Sequence, residues 1–563
     1  METIQAQQAA RPLSGRGRST AHAAPMALRT SATYSAVGTG VSRITGLLRI
    51  VALAWALGQG PLADAFNLAN VTPNMLYDVV LGGILSATFI PVFIDHLTTR
   101  DEEDAYASIS AVLTLAALVL LATSVLAWIL SPELITALTA QDVSSHVHSL
   151  ATVVAERSVA TTLLRWFVIQ VAAYGFFALG GALLNTRRRF VAVAWGPIAN
   201  NLVCIGVLIW FGAWTHNAAT LTSITTHRNE MVLLGLGTSL GVVIQCVALL
   251  PSLRACHFGR LRWNLDPGDV AVRTVLRLSS WTFGFVVANQ AAQYVVVLLA
   301  GKVPGSDPVT SYTYAYAFLQ MPYGVVAVTI MAVVAPDLAQ RWSSRDVEAF
   351  VTRLATGLRA TLALIVPAAV GMLLLATPAV ALILGHGHST ASSTSVTGSA
   401  LAMFSLGLPG FCTYLYVIRV LQSMQRTKVA FFLYLFENAI NIALAVALVG
   451  PLGVRGLALS LSVAYTAGAV AGLALLRQWF GSLGGREVWA PLPRVLLASL
   501  AMGVVVLVVS NISGTLHGFG LLVRVVASVA AGGLAFLGAT VLLGRRHDAR
   551  RRQARRPMPP RLR

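Results

Sequence analysis

Two arginines six residues apart, Arg43 and Arg49, stand in the otherwise largely apolar stretch Ser42-Arg-Ile-Thr-Gly-Leu-Leu-Arg49. On a helix, six residues climb about 9 Å and turn about 600°, which leaves the two side chains roughly 120° apart in azimuth. An arginine in mid-membrane costs about 2.5–3.5 kcal/mol on insertion scales, and such residues normally face a cavity or a partner. The planar guanidinium fork matches phosphate oxygens. Two forks in one cavity suit a diphosphate. The alternatives are that one or both snorkel to the membrane surface, or that Arg49 pairs with Asp64.

A second polar group follows in Ala63-Asp-Ala-Phe-Asn-Leu-Ala-Asn-Val-Thr-Pro-Asn74. Asp64 opens a helix, where a carboxylate caps free N–H groups. A functional reading has it hold an arginine or change partners as a cavity opens. Asn67, Asn70 and Asn74 follow at steps of three and four, on or near one helical face. They are neutral hydrogen-bonders suited to sugar or peptide. Pro73 breaks the backbone ladder and predicts a bend or hinge.

In the second half of the chain Glu437 and Asn441 are four apart, with Asn438 beside them. A carboxylate inside a membrane is a functional candidate by default, and this pair presents hard oxygens on one face, as a Na⁺ or H⁺ site needs. The other readings are a protonated carboxyl or a pair with Arg419. Asn289, Gln290 and Gln293 are placed on the same cavity. His146 and His148, and His386 and His388, have spacings that could hold a metal. No carboxylate or cysteine completes either set, so no metal and no other cofactor is expected. Cys204, Cys246, Cys256 and Cys412 show no ligand or disulfide spacing and read as small buried hydrophobes. No Walker, HExxH or kinase motif is present, which argues against ATP-driven transport.

These groups need elements that hold polar side chains inside a bilayer. Hydrophobic residues make up 56% of the chain and charged residues 11%, against about 25% charged in a soluble domain. Mean hydropathy is +0.73. The pattern predicts an all-α polytopic membrane protein of about fourteen spans. They fall near 34–57, 63–96, 105–130, 158–184, 190–212, 230–251, 274–300, 309–340, 354–384, 397–424, 428–450, 453–476, 491–511 and 518–543. The second and eighth are long, contain Pro73 and Pro322, and are expected to tilt or kink.

Charge sets the orientation. With the N-terminus inside, the even-numbered connections hold Arg100, Arg187 to Arg189, Arg254, Arg260, Arg262, Arg341, Arg345, Arg426, Lys428, Arg477 and Arg486. The odd ones hold only Arg157, Arg228, Lys302 and Arg455. The cytoplasmic excess of basic residues then puts both termini in the cytoplasm. The net charge of +19 sits at the termini and in these loops, a distribution that argues against nucleic acid as a partner. The first thirty or so residues are polar and lack the apolar core of a signal peptide. Both basic ends are suited to anionic lipid headgroups.

The chain also looks duplicated. Pro91, Arg100, Asp101 and Glu103 recur as Pro336, Arg345, Asp346 and Glu348. A weaker echo links Asn185-Thr-Arg-Arg to Gln425-Arg-Thr-Lys, with Asn201 and Asn441 following. Parallel repeats of this kind place a substrate site between the two halves. The expected units are a disordered basic arm (1–33), an N-lobe of six helices (34–251), a linker (252–273), a C-lobe of six (274–476), two extra helices (477–544) and a basic tail (545–563).

The signature Ser42-Arg43-x-x-Gly46-x-x-Arg49, then Gly60-x-x-Ala63-Asp64-Ala65-Phe66, Pro73-Asn74, Gly83 and Phe89-Ile90-Pro91, resembles the MurJ (MviN) family. These are lipid II flippases of the multidrug/oligosaccharidyl-lipid/polysaccharide exporter superfamily. Leu184-Asn185-Thr186, Arg189-Phe190, Pro197 and Asn201 extend the resemblance, which runs through most of 34–545. It implies two pseudo-symmetric six-helix lobes around a cationic cavity, with the last two helices forming a groove for a polyprenyl tail. It implies a transporter in the bacterial inner membrane whose cargo is lipid II, an undecaprenyl-diphosphate-linked disaccharide pentapeptide. It associates Arg43, Arg49 and Asp64 with transport, and implies cell-wall synthesis or division proteins as further partners. The alternatives are flipping of another polyprenyl-linked glycan, a drug or ion antiporter, and a non-transporting scaffold. Many members carry Arg where this chain has Tyr77 and Asp78, and an Asp-Arg pair where it has Tyr316 and Ala317. The resemblance therefore implies a less cationic cavity here.

Overall fold

The computed structural model describes residues 20–58, 60–82, 102–139, 150–256 apart from 188 and 217, 258, 262–266, 268–304, 308–385, 390–483, 491–512 and 518–554. Every regular element among them is helical. In chain order these are α1 (Thr20–Leu57), α2 (Pro61–Tyr77), α3 (Glu102–Ile129), α4 (Ser131–Leu138), α5 (Leu150–Phe167), α6 (Ile169–Thr186), α7 (Phe190–Trp214), α8 (Leu221–Thr226), α9 (Arg228–Val247) and α10 (Leu250–Ala255). The second half holds α11 (Val270–Ala300), α12 (Pro308–Pro322), α13 (Val328–Ser343), α14 (Val347–Leu384), α15 (Ala391–Ser423), α16 (Thr427–Leu452) and α17 (Val454–Phe480). Two further helices are α18 (Leu492–Ile512) and α19 (Gly518–Ala554).

Twelve segments among the described residues are long and apolar enough to cross a membrane. The second predicted span runs beyond the described residues, and the seventh contributes the shorter apolar stretch Val286–Ala300. His146, His148, His386 and His388 also lie outside the described residues. Two predicted boundaries move. The stretch read as a disordered arm already enters α1 at Thr20, and α19 runs on to Ala554 through the first half of the basic tail. Alanine is the commonest residue of the first extension and arginine of the second, and both are strong helix formers.

The duplication is visible in the backbone. α2 passes into a wider π turn at Asp78–Gly82, and α12 passes into another at Tyr323–Ala327. Asp78 to Tyr323 and Pro91 to Pro336 are both steps of 245 residues. A proline lies upstream of each turn, Pro73 and Pro322. The predicted bends thus take the form of π turns, which absorb a broken ladder within a helix and recur at functional sites. The second repeat is real but shifted. α6 ends at Thr186 and α7 starts at Phe190, while α15 ends at Ser423 and α16 starts at Thr427. Both steps are 237 residues, not the 240 read from Asn185 and Gln425. In this register Asn200 and Asn201 match Glu437 and Asn438.

Packing builds two lobes. In the first, α1 lies along α7, α2 along α5, and α9 against α7. In the second, α15 is sandwiched between α14 and α17, and α16 packs against α17 and α11. A Cβ on Gly407 would sit 2.4 Å from the Cα of Ser462, so α15 and α17 touch backbone to backbone there. The predicted linker is laid along α3. Arg262 N–H donates to Ser110 Oγ at 3.2 Å and Ser108 Oγ donates to Asp269 Oδ2 at 2.9 Å. α18 and α19 pair with each other and rest on α14. The outer face of α19 leaves Leu534 and Leu537 more than half exposed, as a lipid-facing surface requires.

Candidate functional site

Between the lobes lies a hollow of about 540 Å³. α1, α2, α6, α7 and α9 wall it on one side and α11 and α12 on the other. Its surface is unusually rich in amides for a membrane interior. Asn67, Asn70 and Asn74 on α2 face Asn289, Gln290 and Gln293 on α11 across the space. Arg49, Asp78 and the tyrosines Tyr174, Tyr312 and Tyr316 complete the polar lining. The amides and phenols hydrogen-bond without carrying net charge, so they suit a hydroxyl-rich or peptide ligand. Arg49 supplies a cation that a phosphate would engage.

The two arginines of α1 part company. Arg49 lines the hollow beside Cys204 and Tyr174. Arg43 does not line it. It crosses the seam to the second lobe, where its Nε lies 3.0 Å from where a Cβ on Gly324 would be. Only the missing side chain at Gly324 lets the guanidinium stem approach the π turn so closely. Tyr323 lies near both Arg43 and Arg419. Asn201 holds α1 on either side of Arg43 in sequence, donating to Ser42 O at 3.1 Å and Thr45 Oγ1 at 3.0 Å.

Asp64 caps a helix, but not its own. α2 begins at Pro61 after Gly60, with no side-chain cap. The buried carboxylate instead accepts the backbone N–H of Thr310 at 2.8 Å, in the first turn of α12. Asn67 donates to Thr310 Oγ1 at 2.9 Å. One residue of the second lobe is therefore gripped twice by α2. A third tie, in the π turn just past α2, joins Gln290 Nε2 to Asp78 Oδ2 at 2.8 Å.

Glu437 and Asn441 lie elsewhere, inside the second lobe. Glu437 is 1% exposed and its Oε1 has no hydrogen-bond partner among the described residues. No ion pair joins it to Arg419, which donates to Gln422 Oε1 at 3.1 Å. Tyr312, Tyr316, Tyr414, Tyr434 and Tyr465 stand around it. Asn441 Oδ1 accepts from Ser460 Oγ at 3.0 Å. The expectation that Asn289, Gln290 and Gln293 share this site is corrected. They line the interlobe hollow, which Glu437 does not; Tyr312 and Tyr316 line the hollow and also lie near Glu437.

Sequence reasoning read Asp78 only as a departure from a pattern. The signal was present: Asn67, Asn70, Asn74 and Asp78 form one stripe at steps of three, four and four. Tyr312, Tyr316 and Gln320 form the facing stripe on α12. Gln170, Tyr174 and Asn200 were also missed, because isolated polar residues in apolar helices do not reveal which face they take.

Comparison with known proteins follows the same lines. A family model described as lipid II flippase MurJ matches residues 53–528. A probable lipid II flippase MurJ of Rhizobium meliloti (strain 1021) is 27% identical over 474 residues, covering 82% of this chain and 83% of the relative. The protein of the same description from Vibrio cholerae serotype O1 (strain ATCC 39315 / El Tor Inaba N16961) is 27% identical over 434 residues, covering 75% and 78%. Among solved structures, a lipid II flippase MurJ in an inward closed conformation superposes with a TM-score of 0.71 at 22% identity, covering 91% of this chain and 98% of the other. An inward-facing multidrug resistance MATE family transporter of the MOP superfamily gives 0.62 at 15% identity, covering 79% and 98%. At these identities the two structures speak to the fold.

Proposed function

The chain belongs to the lipid II flippase MurJ family, and from that premise we propose how its own residues turn lipid II across the bacterial cytoplasmic membrane for peptidoglycan assembly. It is a multi-pass transporter, not an enzyme. The observation that carries the reading is the interlobe hollow, walled by both lobes and lined by Arg49 and paired rows of amides. The diphosphate of the cargo binds Arg49, with Arg43 joining when the lobes part and its contact at Gly324 is released. The sugar and peptide lie against Asn67, Asn70 and Asn74, while the polyprenyl tail stays in lipid. The hollow is of drug-sized volume, so a disaccharide carrying a peptide requires the lobes to separate further. Alternating access follows: Asp64 and Asn67 close one end through Thr310, and those ties break as that end opens.

The termini lie in the cytoplasm in this reading, so the Asp64–Thr310 end faces outward. Basic residues at both ends rest on anionic headgroups, and cell-wall synthesis or division proteins are candidate neighbours. Energy comes from the membrane potential, at about 2.3 kcal/mol per charge per 100 mV, and from Na⁺ or H⁺ at Glu437 and Asn441. Movement of Tyr312 and Tyr316 connects that recess to the cargo.

The test is lipid II translocation by purified protein in vesicles, with and without an imposed potential. Arg49→Ala and Arg43→Ala are expected to lower translocation more than tenfold while the protein remains inserted. Normal turnover in either variant removes that arginine from the mechanism.

A further inference from the structure

The hollow offers a cation to an anionic cargo, yet it also contains a carboxylate. Asp78 is the first residue of the π turn that ends α2, and it continues the stripe of Asn67, Asn70 and Asn74 into the cavity. Its Oδ2 accepts one hydrogen bond, from Gln290 of the opposite lobe at 2.8 Å. Among the described residues no arginine, lysine or histidine forms an ion pair with it. Arg49 stands beside Tyr174 and Cys204 instead. A carboxylate held away from bulk water needs more than one neutral donor, because its two oxygens offer about four acceptor sites.

The repeat sharpens the contrast. Tyr323, the counterpart of Asp78 in the second lobe, lies near both Arg43 and Arg419. One π turn therefore lies near cations and the other carries an anion. An arrangement that only bound diphosphate would gain nothing from Asp78, which repels phosphate. It makes sense if the cargo carries charge of both signs at separate points.

We propose that Asp78, held in place by Gln290, is the seat for a primary ammonium group on the peptide of the cargo. The proposal rests on the lipid II reading. An ammonium has three donors. One meets Asp78, and the others meet side-chain oxygens of the neighbouring Asn74 and Asn289 or Gln293 on the facing helices. A divalent metal is a poor fit, since such ions gather several oxygen ligands and more than one carboxylate is the rule. A peptide that is later cross-linked through a free amine carries the required group. Asp78 is thus a specificity-determining residue that reads the peptide while arginine reads the phosphates.

The experiment compares lipid II bearing a free peptide amine with the same molecule acetylated at that amine. Binding is measured in detergent and translocation in vesicles, on the full chain. The wild type is expected to prefer the free amine about tenfold, the worth of one charge-assisted hydrogen bond. Asp78→Asn should reduce that preference to about one, and Asp78→Glu, which keeps the charge, should retain most of it. A preference that survives Asp78→Asn, or a wild type blind to acetylation, overturns the proposal. Equal loss of both cargoes in Asp78→Asn with the preference intact also overturns it, since it marks a structural or proton-carrying role. A wild type that binds with the tenfold preference but translocates neither cargo supports the Asp78 seat and sinks the flipping reading instead.

Discussion

Removing the Asp64 carboxylate should open one end of the hollow by a calculable amount. Its Oδ1 accepts the Thr310 N–H at 2.8 Å, buried, in the first turn of α12. A hydrogen bond to a charged group contributes about 1.5–3 kcal/mol, and a carboxylate at a helix N-terminus gains from the dipole as well. Because this contact joins two lobes, its loss falls on the equilibrium between closed and open rather than on folding. Taking about 2 kcal/mol, Asp64→Ala shifts that equilibrium roughly 30-fold towards open. Asn67→Ala and Thr310→Val each remove only the neutral 2.9 Å bond to Thr310 Oγ1, worth about 1 kcal/mol or roughly fivefold. Thr310→Pro deletes the N–H itself, and proline is tolerated in a first helical turn. Lacking the hydroxyl that Asn67 bonds as well, it should exceed Asp64→Ala by about fivefold, and adding Asp64→Ala to it should change little more, as expected for two halves of one contact. The assay is alkylation by a membrane-impermeant maleimide of a cysteine placed at Thr313, which lines the hollow, with the four native cysteines replaced. Rates should rise least in Asn67→Ala and Thr310→Val, more in Asp64→Ala and most in Thr310→Pro. An unchanged rate in folded Asp64→Ala, or strictly additive effects in the double variant, would refute the gate.

Two further outcomes can be stated briefly. Glu437 has a buried oxygen without a partner among the described residues, so a cation that binds there should raise the melting temperature of the wild type, by about 2.7 kcal/mol of stability at a hundredfold excess over Kd; Glu437→Gln should melt at the same temperature with and without Na⁺, and a wild type indifferent to Na⁺ rules out sodium as the coupling ion. Gly407→Ala places a Cβ 2.4 Å from the Cα of Ser462 and should destabilise by about 1–3 kcal/mol in thermal unfolding, whereas Gly371→Ala, whose nearest neighbour is Met502 Cε at 3.9 Å, should stay within about 0.5 kcal/mol.

By itself the sequence determined that this is a helical membrane bundle, where most spans run, and that the chain repeats. Those properties follow from composition and periodicity, since a bilayer core accepts only backbone whose polar groups are paired, and long continuous apolar runs meet that demand as helices. It also singled out Arg43, Arg49, Asp64 and the Asn67–Asn70–Asn74 stripe, because polar groups in apolar helices are costly and therefore conspicuous. What each of them touches was decided only in three dimensions. Arg43 meets the backbone at Gly324, 281 residues away, and Asp64 caps α12 rather than α2. Helical spacing defines a face but not the neighbour across from it. Glu437 and Gln290 both belong to the second lobe, yet one is buried among tyrosines and the other reaches Asp78. That difference arises from how α11, α12 and α16 stack, and no local pattern along any one of them contains it.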